Sequence, residues 1–526
     1  MQKRRVLTVL AIASIVSLIC IPLLGGDWPT FGHDPQRSGW AAEETALTPE
    51  NVGGLKLLWK VKLHNEPKSL TALTAPLVAD DVMTAAGLRT VVYVAGSSDV
   101  VYALEEKTGG ILWTRKFTAH VLPKDPGMWL CPNNLNDTPT IDKSRQEIYT
   151  IAADGTLYGL DLGTGGVKFG PAPFVPAYSK NWSLNLRDGV IYTSISQGCG
   201  GARSGIYSLD ARRPLRPVVR DLFVANSWGG GIWGRAGVAI AADGRIFAST
   251  GDGAFNPAEG EYGSSVIAAS PGALEVKDYF SPLNFEKLTR YDLDISAASV
   301  IWLPYRNFSL VAGGGKEGIL YLLDADSLGT RDHQTPLDAL KLANDELAFE
   351  EEGIWGELSS WRDGDGTTWV YVPIWGPVSK QAPAFPLANG PNPHGCIMAF
   401  HVALDPATHQ PVLKPAWISG DFDVPEPVAI ANGVVFALAT GENTQQTVGA
   451  KVIYSGQKGL TDQQRGENTH NAVLRALDAR TGKELYQSGD AMTSWVHFSG
   501  LAVADGRVYA VDHDSNIYCF GLAPKP

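Results

Sequence analysis

The sequence predicts an all-β fold: an eight-bladed β-propeller of four-stranded antiparallel blades. Residues 91–116 (VVYVAGSSDVVYALEEKTGGILWTRK) form three short strand runs separated by glycine- and aspartate-containing turns, which is typical of consecutive hairpins. The same pattern recurs to the C-terminus, and a repeated unit that cannot bury its own apolar face indicates a repeat fold. The last unit lacks one strand, whereas residues 55–63 (LKLLWKVKL) form a strand without a hairpin partner.

The eight units share one order of elements. A strand, an Asp-Gly or Asn-Gly turn and a second strand are followed by a strand of the form aromatic-x-Leu-Asp, a glycine turn and often a fourth strand, which together make a propeller blade. Pairing residues 55–63 with the last unit closes the ring and removes its open sheet edges; seven blades is the alternative count. The units cover residues 91–116, 138–169, 182–224, 236–280, 296–329, 356–420, 425–489 and 499–522.

Several segments interrupt this order. We expect residues 332–353, 378–394 and 445–468 to cross one face of the ring, where loops often shape binding sites. Residues 337–352 (LDALKLANDELAFEEE) are expected to include a short helix. Residues 27–39 (DWPTFGHDPQRSG) are polar and rich in turn formers, so we expect them to lie across the surface.

Composition limits the classes of partner. The chain has 526 residues, 44% of them hydrophobic, so its length allows two to four domains or one closed repeat fold. Its 57 glycines and 33 prolines suit an all-β protein with many turns. The net charge of -12 argues against nucleic acid or an anionic membrane surface as the main partner.

The N-terminus predicts export. Lys3, Arg4 and Arg5 precede an apolar run over residues 6–24, and two small residues, Gly25 and Gly26, follow it. The run is also long enough to remain as an uncleaved membrane anchor. We therefore expect residues 1–26 to be a signal peptide or anchor, residues 27–526 to be a single propeller domain, and the protein to be periplasmic or secreted.

Residues 28–40 and 47–63, together with the blade sequences VYALEEKTGGILW (101–113) and GTLYGLDLGTGGV (155–167), resemble the quinoprotein alcohol dehydrogenases and related pyrroloquinoline quinone (PQQ) propeller proteins. The resemblance covers nearly the whole chain after residue 26. It implies an exported PQQ-dependent oxidoreductase that oxidises an alcohol or a sugar. The electron acceptor would be a separate cytochrome or quinone, because the chain has no Cys-x-x-Cys-His haem motif. The alternative is a non-catalytic propeller that acts as a binding or assembly scaffold, since such proteins use the same repeat.

The resemblance also implies a site. Trp233, in GGGIWG, matches the tryptophan on which PQQ stacks, and Asp252, in STGDG, matches an asparagine that supplies an oxygen to Ca²⁺. Asp294, in YDLD, matches the base that takes the alcohol proton. Lys316, in GGGKEG, matches the lysine that contacts the quinone and stabilises its growing negative charge.

The chain departs from the family pattern at its cysteines. Many family members carry two adjacent cysteines whose disulfide covers the cofactor, and no such pair exists here. Cys199 falls where the family has a Ca²⁺-binding glutamate, and a thiol is a poor ligand for calcium. Cys131 and Cys199 lie in analogous early blades, so a disulfide near the axis is one possible pairing of the four cysteines that follow Cys20.

Overall fold

The structure is a computed structural model that describes residues 26–225, 230–449, 452 and 458–523. Eight antiparallel sheets follow one another along the chain, which confirms the eight-bladed propeller. Blade 1 contains the strands Leu77–Thr84, Gly87–Gly96, Val100–Glu105 and Ile111–Lys116, and blade 2 contains Thr140–Asp142, Glu147–Ile151, Thr156–Asp161 and Val167–Pro173. Blade 3 contains Lys180–Asn181, Asn185–Arg187, Val190–Ser196, Ser204–Asp210 and Val218–Ala225. Blade 4 contains Ala239–Ile240, Ile246–Ser249, Val266–Ala269 and Val276–Phe280.

Blades 5–8 continue the ring. Blade 5 contains the strands Ile301–Tyr305, Phe308–Gly314, Ile319–Asp324 and Asp338–Lys341, and blade 6 contains Gly353–Ile354, Ser359–Arg362, Thr368–Trp375, Leu387–Ala388, Gly395–Leu404 and Pro411–Ile418. Blade 7 contains Trp40–Ala41, Ala429–Ala431, Val434–Ala439, Val473–Asp478 and Glu484–Gln487. Blade 8 contains Leu55–Lys62, Ala502–Ala504, Arg507–Val511 and Asn516–Leu522. Two short ladders join Phe255–Asn256 to Glu261–Tyr262 and Ala298–Ser299 to Gly356–Glu357.

The ring closes as the sequence predicts. Leu55–Lys62 pairs antiparallel with Asn516–Leu522, and Lys60 lies opposite Tyr518. The indole N–H of Trp59 donates to the backbone oxygen of Glu106 in blade 1 at 2.9 Å. The strand therefore completes blade 8 and also holds it against its neighbour.

Residues 28–44 form a segment that we call the N-terminal belt, because it bonds to all eight blades in chain order. The backbone of Trp28 exchanges hydrogen bonds with Val78 in blade 1. The side chain of Glu44, at the other end, accepts a hydrogen bond from the backbone N–H of Gly506 in blade 8 at 2.7 Å. The intervening bonds join Pro29 to Ile141, Thr30 to Leu184, Pro35 to Ile240, Gln36 to Trp302, Ser38 to Ser360 and Gly39 to Ile430.

The belt is buried, so the expectation that residues 27–39 lie across the surface is wrong. Trp28 is 1% exposed, Phe31 is 2% exposed and Arg37 is 0% exposed. Phe31 packs against Ala75 before blade 1 and Ala236 before blade 4. The turn-forming residues of the belt bend the chain past successive blades, and its apolar side chains are buried.

The segment 332–353 also differs from expectation. Asp338–Lys341 is the fourth strand of blade 5 and pairs with residues 319–322, so the helix expected in residues 337–352 does not form. The edge of Ile319–Asp324 offers a complete ladder of hydrogen bonds, which overrides the local helix preference. The described helices are Phe285–Tyr291 and Asp462–Arg465, with 3₁₀ turns at Val52–Gly54, Cys199–Gly201, Pro257–Glu259, Ile295–Ala297, Thr330–Asp332 and Gly489–Ala491.

Among the described residues, no helix is long and apolar enough to cross a membrane. The expected signal peptide or anchor over residues 1–26 lies, apart from Gly26, outside the described residues. Export thus remains a prediction from the sequence.

Candidate active site

One cavity of about 790 Å³ lies on the propeller axis. Its lining comes from segments that belong to or adjoin every one of the eight blades, so distant parts of the chain meet there. The contributing residues include Leu70, Asn136, Lys180, Asp252, Lys316, Trp375, Glu442 and His497.

Asp252, Asp292 and Asp294, which we call the acidic triad, line this cavity. Their carboxylate oxygens all lie within 4.8 Å of one another. Asp252 follows the blade 4 strand Ile246–Ser249, and its backbone N–H donates to Oδ1 of Asp294 at 2.5 Å. This bond holds the two carboxylates side by side.

The end of a helix positions the other two carboxylates. Phe285–Tyr291 ends at Asp292, which adopts a left-handed conformation with a φ of 52° and donates its N–H to the backbone oxygen of Leu288. A non-glycine residue in this region is uncommon and costs of order 1 kcal/mol or more. The turn reverses the chain so that Asp294 immediately precedes Ile295–Ala297 with its side chain in the cavity.

Lys316 lies within the acidic triad. Its ammonium group is paired with Asp292 and lies 2.9 Å from Oδ2 of Asp294. The backbone N–H of Lys316 also donates to the backbone oxygen of Asp294 at 3.0 Å. The side chain is only 4% exposed, so the lysine is fixed rather than mobile.

The pKa values of this group are strongly shifted. Burial, then the charges of Asp294 and Asp292, raises the pKa of Asp252 to about 10, and burial raises the pKa of Asp292 well above its usual value. Burial also disfavours the charged form of Asp294. The charge of Lys316 and several hydrogen bonds outweigh this effect of burial and hold the pKa of Asp294 below its usual range. Burial lowers the pKa of Lys316, but the charges of Asp292 and Asp294 prevail and raise it. Lys316 thus favours the ionised form of Asp294, whereas burial disfavours the ionised forms of Asp252 and Asp292.

Aromatic rings form the wall next to the acidic triad. The ammonium nitrogen of Lys316 lies 5.1 Å from the ring centroid of Trp233 and 5.4 Å from that of Trp355. Trp355 stacks on Trp375 with the centroids 4.6 Å apart, and Trp375 stacks on Phe498 at 5.5 Å. A flat ligand therefore finds both aromatic faces and charged groups here.

The structure brings together all four residues singled out from the sequence: Trp233, Asp252, Asp294 and Lys316 all line the axial cavity. Their catalytic, cofactor-binding and metal-binding roles remain predictions. Asp292 was missed as a site residue, although it stands two positions from Asp294 in the same YDLD motif. Alternation of charged residues on this short segment is the signal that could have identified it.

Comparison with known proteins finds similarity over part of the chain. Residues 28–191 match the family model of the β-propeller domain of PQQ-type glucose, ethanol and alcohol dehydrogenases. The chain is 26% identical over 199 residues to 1-butanol dehydrogenase (cytochrome c) of Thauera butanivorans, which covers 37% of this chain and 26% of that protein. It is 29% identical over 139 residues to quinohemoprotein alcohol dehydrogenase of Comamonas testosteroni, which covers 26% of this chain and 17% of that protein. The matches thus span about a quarter or less of these curated relatives.

Solved structures share the fold over almost the whole chain. The quinohemoprotein alcohol dehydrogenase of Comamonas testosteroni aligns with a TM-score of 0.59 at 16% identity, covering 95% of this chain and 81% of that one. A europium-containing methanol dehydrogenase aligns with a TM-score of 0.61 at 13% identity, covering 94% and 98%. The resemblance to the PQQ alcohol dehydrogenase-like propellers is confirmed.

The disulfide of this chain joins cysteines that are far apart in the sequence, unlike the adjacent cysteines of many quinoprotein dehydrogenases. Cys131 and Cys199 form a disulfide with their Cα atoms 5.5 Å apart, as the sequence allowed. Cys199 is therefore no metal ligand. Met128, Trp129, Leu130 and Pro132, which flank Cys131, line the cavity, so the disulfide ties this wall of the cavity to blade 3.

Gly251 allows the predicted stacking residue and the acidic triad to pack closely. A Cβ atom on Gly251 would lie 2.7 Å from Oδ1 of Asp294 and 2.8 Å from Nε1 of Trp233. We expect Gly251→Ala to displace one of these side chains and to cost about 1–3 kcal/mol of stability through overpacking. Gly272→Ala, where an added Cβ meets nothing within 4 Å, is the control, and urea denaturation measures the loss. Equal stability of the two variants would contradict this role for Gly251.

Proposed function

We propose that this chain is an exported quinoprotein-type oxidoreductase that binds PQQ, oxidises an alcohol or a sugar and passes the electrons to a separate cytochrome or quinone. The observation that carries the proposal is the convergence of Trp233, the acidic triad and Lys316 on one axial cavity. These residues come from three successive parts of the ring, and packing of the blades alone does not require carboxylates and an ammonium group to meet on the axis.

The residues fit a flat, polyanionic quinone. Trp233 offers an aromatic face for stacking, and Lys316 places a fixed positive charge within 5.1 Å of that ring centroid. When bound, PQQ would supply the acceptor for the hydride or electrons of the alcohol. Asp294 would accept the alcohol proton, and Lys316 would stabilise negative charge that develops on a neighbouring oxygen.

The acidic triad fits a hard cation. Three carboxylates within 4.8 Å of one another provide the oxygen ligands that Ca²⁺ prefers, and they replace the glutamate that is absent at Cys199. Asp252 thus keeps the metal-binding role inferred for it, with Asp292 and Asp294 as partners. Because one structural neighbour is a europium-containing enzyme, and because three carboxylates suit a highly charged ion, Eu³⁺ should be compared with Ca²⁺.

The test is the melting temperature of the purified protein with PQQ and either metal. A ligand that binds only the folded state must stabilise it, by about 2.7 kcal/mol at a hundred times the Kd. We expect a clear rise with PQQ plus metal, and reduction of an artificial dye when a short alcohol is added. Asp252→Ala, which removes the oxygen ligand altogether, should lose the metal-dependent part of the rise and keep most of the PQQ-dependent part.

A non-catalytic scaffold is the second candidate. The observation that favours it is the disulfide at Cys199, which occupies the position of the family's metal-binding glutamate. The same measurement separates the two functions, because a scaffold would show neither a melting-temperature rise at saturating PQQ nor dye reduction. That result would overturn the proposed oxidoreductase.

A further inference from the structure

A second charged group, outside the acidic triad, lines the axial cavity. Three cations, Lys180, Arg235 and Arg465, stand near Glu442 and His497. We call these five residues the basic wall. None of them belongs to the motifs that carry the family resemblance, and the chemistry proposed above does not use them.

The two arginines are already engaged by the protein. Arg235 donates to the backbone oxygen of Phe498 at 2.6 Å and more weakly to that of His497 at 3.4 Å. Arg465 pairs with Glu442 at 3.4 Å and donates to the backbone oxygen of Asn443 at 2.9 Å. They therefore supply positive potential, with few donors left for a ligand.

Lys180 differs from both arginines. It belongs to the first strand of blade 3, Lys180–Asn181, and its ammonium nitrogen lies 5.2 Å from the ring centroid of Trp182. Among the described residues this nitrogen has no hydrogen bond and no ion pair. A lysine ammonium has three donors, so Lys180 presents three unused donors at the cavity wall.

Among the residues that the structure describes, no carboxylate is paired with Lys180. Burial, followed by the charges of Arg235 and Arg465, lowers the pKa of Lys180 to about 7. The nearby carboxylate of Glu442 is bound to Arg465 and to Nδ1 of His497, the latter at 2.8 Å. A ligand anion at Lys180 would therefore satisfy its donors and relieve the repulsion among the three cations.

We propose that Lys180 is the contact point of a carboxylate-binding subsite in the axial cavity, with Arg235 as a fixed background charge and Trp182 as the surface beside it. The inference rests on the proposed function, because it adds an acid group to the molecules that this oxidoreductase would hold. The carboxylate belongs either to the substrate, an alcohol that also carries an acid group, or to PQQ itself.

The experiment has a cofactor arm and a substrate arm. The first titrates the protein with PQQ and with PQQ trimethyl ester, in which the acid groups are masked. The second titrates the protein, with and without PQQ, with ω-hydroxycarboxylates of increasing length and with the diols of the same length. Both arms compare the natural protein with Lys180→Gln, Lys180→Arg and, as a control at an exposed turn, Lys107→Gln.

We expect Lys180→Gln to weaken binding of the acid-bearing probe by about 10- to 100-fold in one arm. Lys180→Arg should restore most of that affinity, and Lys107→Gln should leave it unchanged. The esters and diols should bind equally to all four proteins. The arm that responds identifies the source of the carboxylate.

A pH series adds a readout that a structural role would not give. The lysine binds an anion only when it is protonated, so the affinity should fall as the pH rises through about 7, the pKa that burial, Arg235 and Arg465 give Lys180 in the free protein. Lys180→Arg should abolish this fall, because arginine stays charged.

Equal affinities of the natural protein and Lys180→Gln for every acid-bearing probe would overturn the subsite. This failure is distinct from failure of the proposed function, which would appear as no PQQ binding by any variant. In that case the hydroxycarboxylate titration without PQQ still measures the subsite alone.

Discussion

Asp294→Asn is expected to lower alcohol turnover by about 100- to 10,000-fold in protein loaded with PQQ and metal. Asparagine has the same shape but cannot accept the alcohol proton. Its amide oxygen can still accept the hydrogen bond from the backbone N–H of Asp252, now 2.5 Å from Oδ1, so the side chain should stay in place. Steady-state dye reduction with a short alcohol measures the loss.

Asp292→Asn is the matched comparison, because it removes a carboxylate from the same triad. The Asp292 side chain is 25% exposed, compared with 3% for Asp294, and we expect the smaller loss there. PQQ affinity and metal content must be measured for both variants, because a loss of either would trace the defect to assembly of the site. Turnover that survives in fully loaded Asp294→Asn would show that Asp294 is not the base.

Arg37→Met is expected to destabilise the folded protein by about 3–5 kcal/mol. Arg37 is fully buried and donates to the backbone oxygens of Leu184 in blade 3 and Val238 next to blade 4, at 3.0 and 3.2 Å. Burial lowers its pKa to about 10, against the opposing charges of Glu357 and Asp34, so it remains charged at neutral pH. Removing the guanidinium leaves the buried carbonyl groups of Phe31, Leu184 and Val238 without this donor.

Urea denaturation of the full chain measures this effect as a shift of the midpoint. Arg331→Met, at an exposed turn, should change stability by no more than about 0.5 kcal/mol. Equal midpoints for Arg37→Met and Arg331→Met would contradict the structural role of Arg37.

The sequence predicts the blades well because each is built from local signals. Strand residues, turn residues and their spacing place the hairpins of residues 91–116 within a few positions of the observed strands. The pairing of residues 55–63 with the last blade was also predictable, because a missing strand at one end matched a spare strand at the other. Both predictions depend only on the number and spacing of strand and turn segments along the chain.

The misses depend on long-range contacts. The polar composition of residues 27–39 suggests an exposed segment, but Arg37 finds carbonyl partners almost 150 and about 200 residues away. The expected helix in residues 337–352 gave way to an available sheet edge. Lys180 carries no motif at all, and its significance emerges only when the fold places it beside Arg235 and Arg465.

The N-terminal belt has a consequence for how the chain folds. Its residues leave the ribosome before any blade, yet their bonding partners extend to Gly506, more than 460 positions later. Contacts between residues so far apart in the sequence form slowly, because the entropy of closing the long loop is lost before the stabilising contacts are made. Seating of the belt must therefore be a late event, after synthesis of the eighth sheet, and the cooperative native ring cannot be reached by a nascent chain that is still growing.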